Sequence, residues 1–318
     1  ATFNFSDLNH PNVPLSITLN AEAPAGDVLE LLSPPRFTML KSNAIDFSQA
    51  TGQATGELKL SFNTFREPAE NEKEKADQVN WDQVDYAVDA QLKDIGGLSI
   101  KKTSPIENAN GTFVANKEEL KLELNGTMKQ SPMQITLHDK HDGSSDIKIK
   151  GRFDVEQLVA LGFPKRPEIT GVVEADISLA ERTGKDVFDA DLDLTSAVIQ
   201  IPDIKYSKPA GVKAALKISP TYDAHHKLQD DLSVSYMSDL LEFAGRIRFN
   251  LEKGALDRAA FDRIRYGRND ASFGYIASED APTLTIKGKA FDYAMLASEG
   301  DAMTISDFPA MMLDMDVG

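Results

Sequence analysis

The sequence predicts a mainly β protein built from antiparallel strands with a few short helices. Three observations carry this. Apolar and polar residues alternate with a period of two along most of the chain, as strands with one wet face require. Residues that tolerate positive φ fall between many of the alternating runs, and short connections of that kind make neighbouring strands antiparallel. Helical patterns are few and short, and three of them share one design.

Taken in order, Leu15/Ile17/Leu19 gives the first clear strand, followed by a small helix from Asp27 to Leu32 that Pro34-Pro35 closes. Leu58/Leu60/Phe62 reads as the next strand. Arg66 to Gln78, rich in Glu and Lys and without apolar periodicity, predicts a solvated, mobile acidic loop. Strands then follow at Val84/Tyr86/Val88/Ala90/Leu92, Leu120/Leu122/Leu124, Met133/Ile135/Leu137, and Ile147/Ile149 running to Phe153. A second helix spans residues 154 to 161, ahead of Gly162 and Pro164.

In the second half, Val173/Ala175/Ile177/Leu179, Phe188/Ala190/Leu192/Leu194 and Val212/Ala214/Leu216/Ile218 alternate in the same way. So do Leu241/Phe243/Gly245/Ile247/Phe249/Leu251 and Leu284/Ile286/Gly288/Ala290. Ala255 to Tyr266 fits both periods, and its neighbours favour a strand. The third helix is expected at 292 to 298. In each helix an Asp (Asp27, Asp154, Asp292) stands in N-cap position after a strand, so a loose repeat around 1–150 and 151–318 fits the pattern. Asn110-Gly111, Asn125-Gly126, Asp142-Gly143, Thr183-Gly184 and Lys253-Gly254 are the expected turns.

Composition narrows the function. The chain has 318 residues, 41% hydrophobic and 26% charged, enough to bury a sizeable core as one elongated body or two domains. Its 34 basic and 50 acidic residues leave a net charge of −16, which repels a phosphate backbone and argues against nucleic acid as a partner. With no Cys, disulfide scaffolds, thiolate metal sites and Cys nucleophiles are excluded together. No run approaches the ~18–20 apolar residues of a membrane-spanning helix. The chain opens at Ala1 without a signal pattern and stops soon after Met311-Met312-Leu313, which reads as an internal section of a longer protein.

An antiparallel sheet with one apolar face must cover it with helices, a second sheet, closure on itself, or a ligand. Three small helices cannot cover so many strands. A sandwich or barrel fills the face with its own side chains; an open sheet needs an apolar partner. Acyl chains fit that need, since each buried methylene contributes about 0.8 kcal/mol without polar partners.

The stretches Gly245-Arg246-Ile247-Arg248-Phe249, Gly267-Arg268-Asn269-Asp270 and Ile286 to Leu296 resemble the AsmA-like proteins of Gram-negative bacteria, in particular the YhdP-like branch. Pro14 to Ala25, Asp27 to Leu32 and Gly52 to Leu60 resemble the same branch. The resemblance implies a long curved antiparallel sheet forming an elongated, β-taco-like groove. It also implies a periplasmic protein tethered to the inner membrane by an anchor outside this section, and phospholipid transport towards the outer membrane. It brings no catalytic residues, cofactor or metal. The expected groove lining is Leu58, Leu60 and Phe62, then Leu122, Leu124, Ile135 and Ile149, then Ile177, Leu192 and Leu216, and finally Phe243, Ile247, Phe249 and Ile286. Phospholipid acyl chains are the expected partner. The alternative is a structural or protein-interaction β-sandwich or solenoid module of the cell envelope without lipid.

Other chemistry is weaker. His138, Asp139, His141 and Asp142 could ligate a metal but read better as a polar hairpin tip, and His225-His226 as a turn. Asp189/Asp191/Asp193 alternate with apolar residues and so form a solvated face rather than a carboxylate pair for glycoside chemistry. Asn110-Gly111-Thr112 and Asn125-Gly126-Thr127 match the glycosylation sequon and read as turns. Arg246, Arg248, Arg258, Arg263, Arg265 and Arg268 form the one basic concentration, expected to pair with nearby acids rather than with head groups. No phosphate loop, Gly-x-Ser-x-Gly elbow or His-Glu-x-x-His is present, so no enzyme is expected.

Overall fold

The computed structural model describes residues 2–5, 14–31, 45–46, 48–63, 84–100, 105–140, 144–161, 163, 165–166, 168–182, 185–223, 227–250, 255–278, 281–290 and 312–317. The protein is mainly β; among the described residues there are two short α-helices, and the strand pairs are antiparallel except one. It divides into two compact units, Ala1–Gly151 with Leu179–Asp186, and Arg152–Ser178 with Val187–Gly318.

The first unit is a meander. Strands β1 (Thr2–Phe5), β2 (Pro14–Pro24), β4 (Thr51–Asn63), β5 (Asp85–Gly96), β7 (Ile106–Asn116), β8 (Glu119–Met128), β9 (Ser131–Lys140) and β10 (Ser145–Asp154) each pair with the next in that order. A two-residue pair, β3 (Ile45–Asp46) with β6 (Ser99–Ile100), stands apart from this ladder. Helix α1 (Ala25–Leu31) follows β2 directly. It begins two residues earlier than its Asp suggests, so Asp27 lies within the first turn rather than at the N-cap.

Two expected turns are strand interior instead. Asn110 and Asn125 face each other across β7 and β8, with Gly111 opposite Leu124. The hairpins turn where the backbone itself is satisfied. The Asn116 side chain accepts hydrogen bonds from the amides of Glu118 (2.8 Å) and Glu119 (3.0 Å), closing β7 onto β8. Lys129 and Gln130 take φ of 47° and 70°, the paired left-handed geometry that matches strand twist, and close β8 onto β9. Asn108, at φ 52°, is spent on a bulge in β7. Asp142-Gly143, Thr183-Gly184, Lys253-Gly254, the run from Arg66 to Gln78, His141, His225-His226 and the third helix lie outside the described residues.

In the second unit, helix α2 (Val155–Ala160) starts at Asp154 with a full capping box: the Asp154 carboxylate accepts from the Gln157 amide at 2.8 Å, and the Gln157 side chain accepts from the Asp154 amide at 2.7 Å. The main ladder then runs β12 (Lys185–Asp193), β15 (Ala214–Tyr222), β16 (Leu228–Ser238), β17 (Leu241–Asn250), β18 (Ala255–Tyr266), β19 (Asn269–Ile276), β20 (Thr283–Ala290) and β21 (Met312–Val317). The last pair is parallel, as a long connection allows. Register shifts interrupt β17 and β18, and Phe261 and Ile264 share a face only because of one of them. That shift breaks the period of two, which explains why this stretch reads ambiguously. Gly245 has no room for a side chain, because a Cβ there would strike the Ala260 carbonyl and the Phe261 ring.

Between β12 and β15, which are neighbours, residues 194–213 leave the ladder as a flap. It comprises β13 (Ala197–Ile201), a 3-10 turn at Pro202–Ile204 and β14 (Tyr206–Lys208), with β13 paired also to the start of β11 (Ile169–Arg182). Lys205 takes the left-handed conformation that turns the chain, φ 51°.

Candidate functional site

The apolar strand faces are sealed in one region and half-open in others. On β5 to β10, Leu122, Leu124, Ile135 and Ile149 are each 1% exposed, packed with Phe113 and Leu120. Tyr86 joins them, its hydroxyl donating to the Asn116 carbonyl at 3.1 Å, and burial pushes its phenol up to about 12. Ile177 and Leu192 are likewise buried. Earlier in the first unit, Leu58, Leu60 and Phe62 of β4 are only half-buried, as are Ile17 and Leu19 opposite them.

In the second unit, Leu216, Phe243 and Ile247 are half-buried and Phe249 is 41% exposed, while Ile286, like Ile177 and Leu192, is sealed. Phe261, Phe273 and Tyr275, which the alternation did not single out, share this face. Their rings form a file across the strands. Tyr236 stacks on Phe243 at 5.4 Å, Phe243 meets Phe261 edge-on at 5.3 Å, and Phe261 lies 6.3 Å from Phe273.

The flap covers one margin of this face. Tyr206 is 2% exposed and packs edge-on against Tyr236 and Tyr266, with centroids at 6.4 and 5.7 Å. Its hydroxyl lies 2.6 Å from that of Tyr236 and 3.0 Å from Ser238 Oγ, and Tyr266 donates to the Lys205 carbonyl at 2.9 Å. Burial, followed by the Tyr206 hydrogen bond, holds the Tyr236 phenol well above its ordinary range.

The neck of the flap is tied. Lys208, 1% exposed, donates through Nζ to the carbonyls of Ala197 (2.7 Å), Pro209 (3.0 Å) and Thr195 (3.4 Å). Burial lowers its pKa, with the Asp193 charge pulling the other way. Gly211 and Leu194 close the same neck through backbone bonds to Thr195 and Ala214. A lone buried Lys in a polar-looking turn gives no signal in sequence; the three carbonyls that justify it come together only in the fold.

The opposite face of these strands is wet and charged. Asp231, 8% exposed, accepts from Arg248 Nε at 2.6 Å and from Arg258 Nη2 at 2.5 Å. Burial alone would raise its pKa, but the hydrogen bonds and charges of the two guanidinium groups outweigh it and hold the carboxyl below its usual value. Arg263 grips Asp270 through two bonds of 2.7 Å, and Arg265 lies 3.8 Å from Glu242. Four of the six clustered arginines therefore face carboxylates, as expected.

The remaining candidates are accounted for locally. His138 Nε2 sits 2.8 Å from Glu119 Oε2, and Lys121 bonds the other oxygen of Glu119 at 2.6 Å. Among the described residues no group of three or more His, Asp or Glu is disposed to hold a metal. Asp191 pairs with Lys217 at 3.1 Å, and Asp193 accepts from the Thr195 amide at 2.8 Å, while Ala190 and Leu192 between them point inward. No described helix is long and apolar enough to cross a membrane. Comparison of the chain with protein-family models, curated proteins and solved structures finds no match.

Proposed function

We propose that the protein is a lipid-binding conduit module of the Gram-negative periplasm. Its apolar strand faces would accept phospholipid acyl chains on their way between inner and outer membrane, without cofactor or covalent chemistry, and a tether outside this section would hold it to the inner membrane. One observation supports the reading most. Phe243, Ile247 and Phe249, with Phe261 and Phe273 beside them, leave large apolar side chains half-exposed in one continuous file, while the other face of the same strands carries charge. The resemblance of the β17 to β20 sequence to AsmA-like proteins points the same way.

The structural-module alternative draws support from β5 to β10, where Leu122, Leu124, Ile135 and Ile149 are filled in by their own neighbours. The lining therefore narrows to Leu58, Leu60 and Phe62 in the first unit and Leu216, Phe243, Ile247 and Phe249 in the second. Native mass spectrometry of the gently purified protein, followed by solvent extraction, tests the proposal. Co-purifying phospholipid is the expected result; a bare protein after exposure to phospholipid vesicles would favour the spacer.

A further inference from the structure

We infer that the second unit seats an amphiphile in one direction only, with its hydrocarbon tail towards the Tyr206 flap and its polar head at the Phe249 margin. The inference rests on the lipid-binding reading above and adds to it a polarity that neither the sequence nor the resemblance contains.

On the apolar face of β17 the side chains run from Leu241, 6% exposed, through Phe243 and Ile247, which are intermediate on either side of the buried Gly245, to Phe249 at 41%. The sealed end lies beside Tyr236 and Tyr266, where the flap sits. The flap is a fixed wall. Its β13 strand is paired to β11, its neck is held by the three carbonyls around Lys208, and its tip is bonded through Tyr206 and Tyr266. The hydroxyls at this margin are engaged, those of Tyr206, Tyr236 and Ser238 with one another and that of Tyr266 with the Lys205 carbonyl, so a polar head would have to displace an existing bond. A phosphate driven against them would have to break these bonds to be solvated. A methyl terminus meets no such penalty. At the other margin the described side chains are exposed, Phe249 at 41% and Tyr222, at the same strand ends, at 50%.

The dimensions agree. From Phe243 to Phe249 is six residues, or about 20 Å at ~3.3 Å per residue. One leaflet of a bilayer is about 15 Å of hydrocarbon, half of its ~30 Å core. A single acyl chain lying along β17 therefore fits between the flap and the rim, leaving its head in solvent.

The test uses the absence of Cys, which lets one thiol-reactive fluorophore report from one position. Phe249→Cys marks the open margin and Ile264→Cys, opposite Phe243, the covered one. Leu256→Cys and Leu216→Cys repeat the pair should either first choice fold poorly, as circular dichroism would reveal. Each labelled protein is mixed with phosphatidylcholine vesicles doped with phosphatidylcholine that carries a nitroxide on the head group or near the end of the acyl chain. It is then separated from the vesicles and its fluorescence read. Head-group nitroxide should quench the open-margin label several-fold more than the covered one, and tail nitroxide the reverse. Equal or inverted quenching would overturn the polarity while leaving lipid binding intact. Absence of quenching by either lipid at every position would remove the lipid reading itself, and the polarity with it.

Discussion

Replacing Ile247 by Glu separates an open apolar face from a sealed one. Ile247 lies on β17 between Leu232 and Ala259 and is half-buried. Full burial of an Ile side chain contributes ~1.5–3 kcal/mol, so losing a half-buried one costs about 1 kcal/mol. The new carboxylate can reach water at the same time and carries no unpaired-charge penalty. For a body of this size 1 kcal/mol lowers Tm by roughly 2–4 °C.

Ile149→Glu is the sealed counterpart. That side chain is 1% exposed, and a lone carboxylate there would cost upwards of ~4 kcal/mol, enough to lower Tm by more than ~10 °C or prevent folding. Arg246, exposed on the wet face of β17, supplies the control as Arg246→Glu; Arg248 does not, because it grips Asp231. Differential scanning calorimetry beside lipid extraction reads both effects. The expected result for Ile247→Glu is a drop of a few degrees with a large loss of bound phospholipid. Equal Tm losses at 247 and 149, or a folded Ile247→Glu with wild-type lipid content, would refute the reasoning.

Two further outcomes follow from buried charge. Asp231→Asn should destabilise by about 1–3 kcal/mol at pH 7 in urea titrations, since the anion between Arg248 and Arg258 is lost. Because the folded pKa of Asp231 is depressed, its contribution is complete above the unfolded carboxylate value and disappears as pH falls through the folded one. Wild type and variant should therefore converge in acid, and a gap that persists unchanged at pH 2 would contradict the assignment. Lys208→Met should cost about 2–4 kcal/mol by removing the ammonium shared by the carbonyls of Ala197, Pro209 and Thr195, of which Thr195 keeps the Gly211 amide as a donor, and hydrogen exchange should quicken across residues 195–213. Its pKa is lowered in the fold, so the penalty on the charged form is full below the folded value and fades as pH rises towards the unfolded one. Wild type should gain stability on that alkaline rise and Lys208→Met should not.

Many of the strands and two helices are legible because each depends on a local period or cap that no distant contact overrides, whereas β7, β16 and β19 are not singled out by the alternation. Leu120/Leu122/Leu124 and Met133/Ile135/Leu137 alternate cleanly and are buried as read, and Asp154 caps α2 as its position suggests. Asn110 and Asn125 misled because an Asn-Gly pair is also tolerated at a bulge or within a ladder, while Lys129-Gln130 turns without glycine. The apolar strand faces are legible only in part. Alternation identifies which residues point to the apolar side, but whether that side is filled depends on what packs over it. Leu122 and Phe243 look alike in sequence; only the former is enclosed. The flap escaped notice because a short hairpin inserted between two neighbouring strands has the same alternation as one that continues the ladder.

The hydroxyl rung formed by Tyr206, Tyr236 and Ser238 contains no carboxylate, imidazole or amine, and the Tyr236 phenol is held from ionising until far into alkali. Asp231, on the other side of the same β16 strand, lets go of its arginines when it is protonated. Acid would thus loosen the charged face of this sheet while the tyrosine seam on its other face kept its hydrogen bonds.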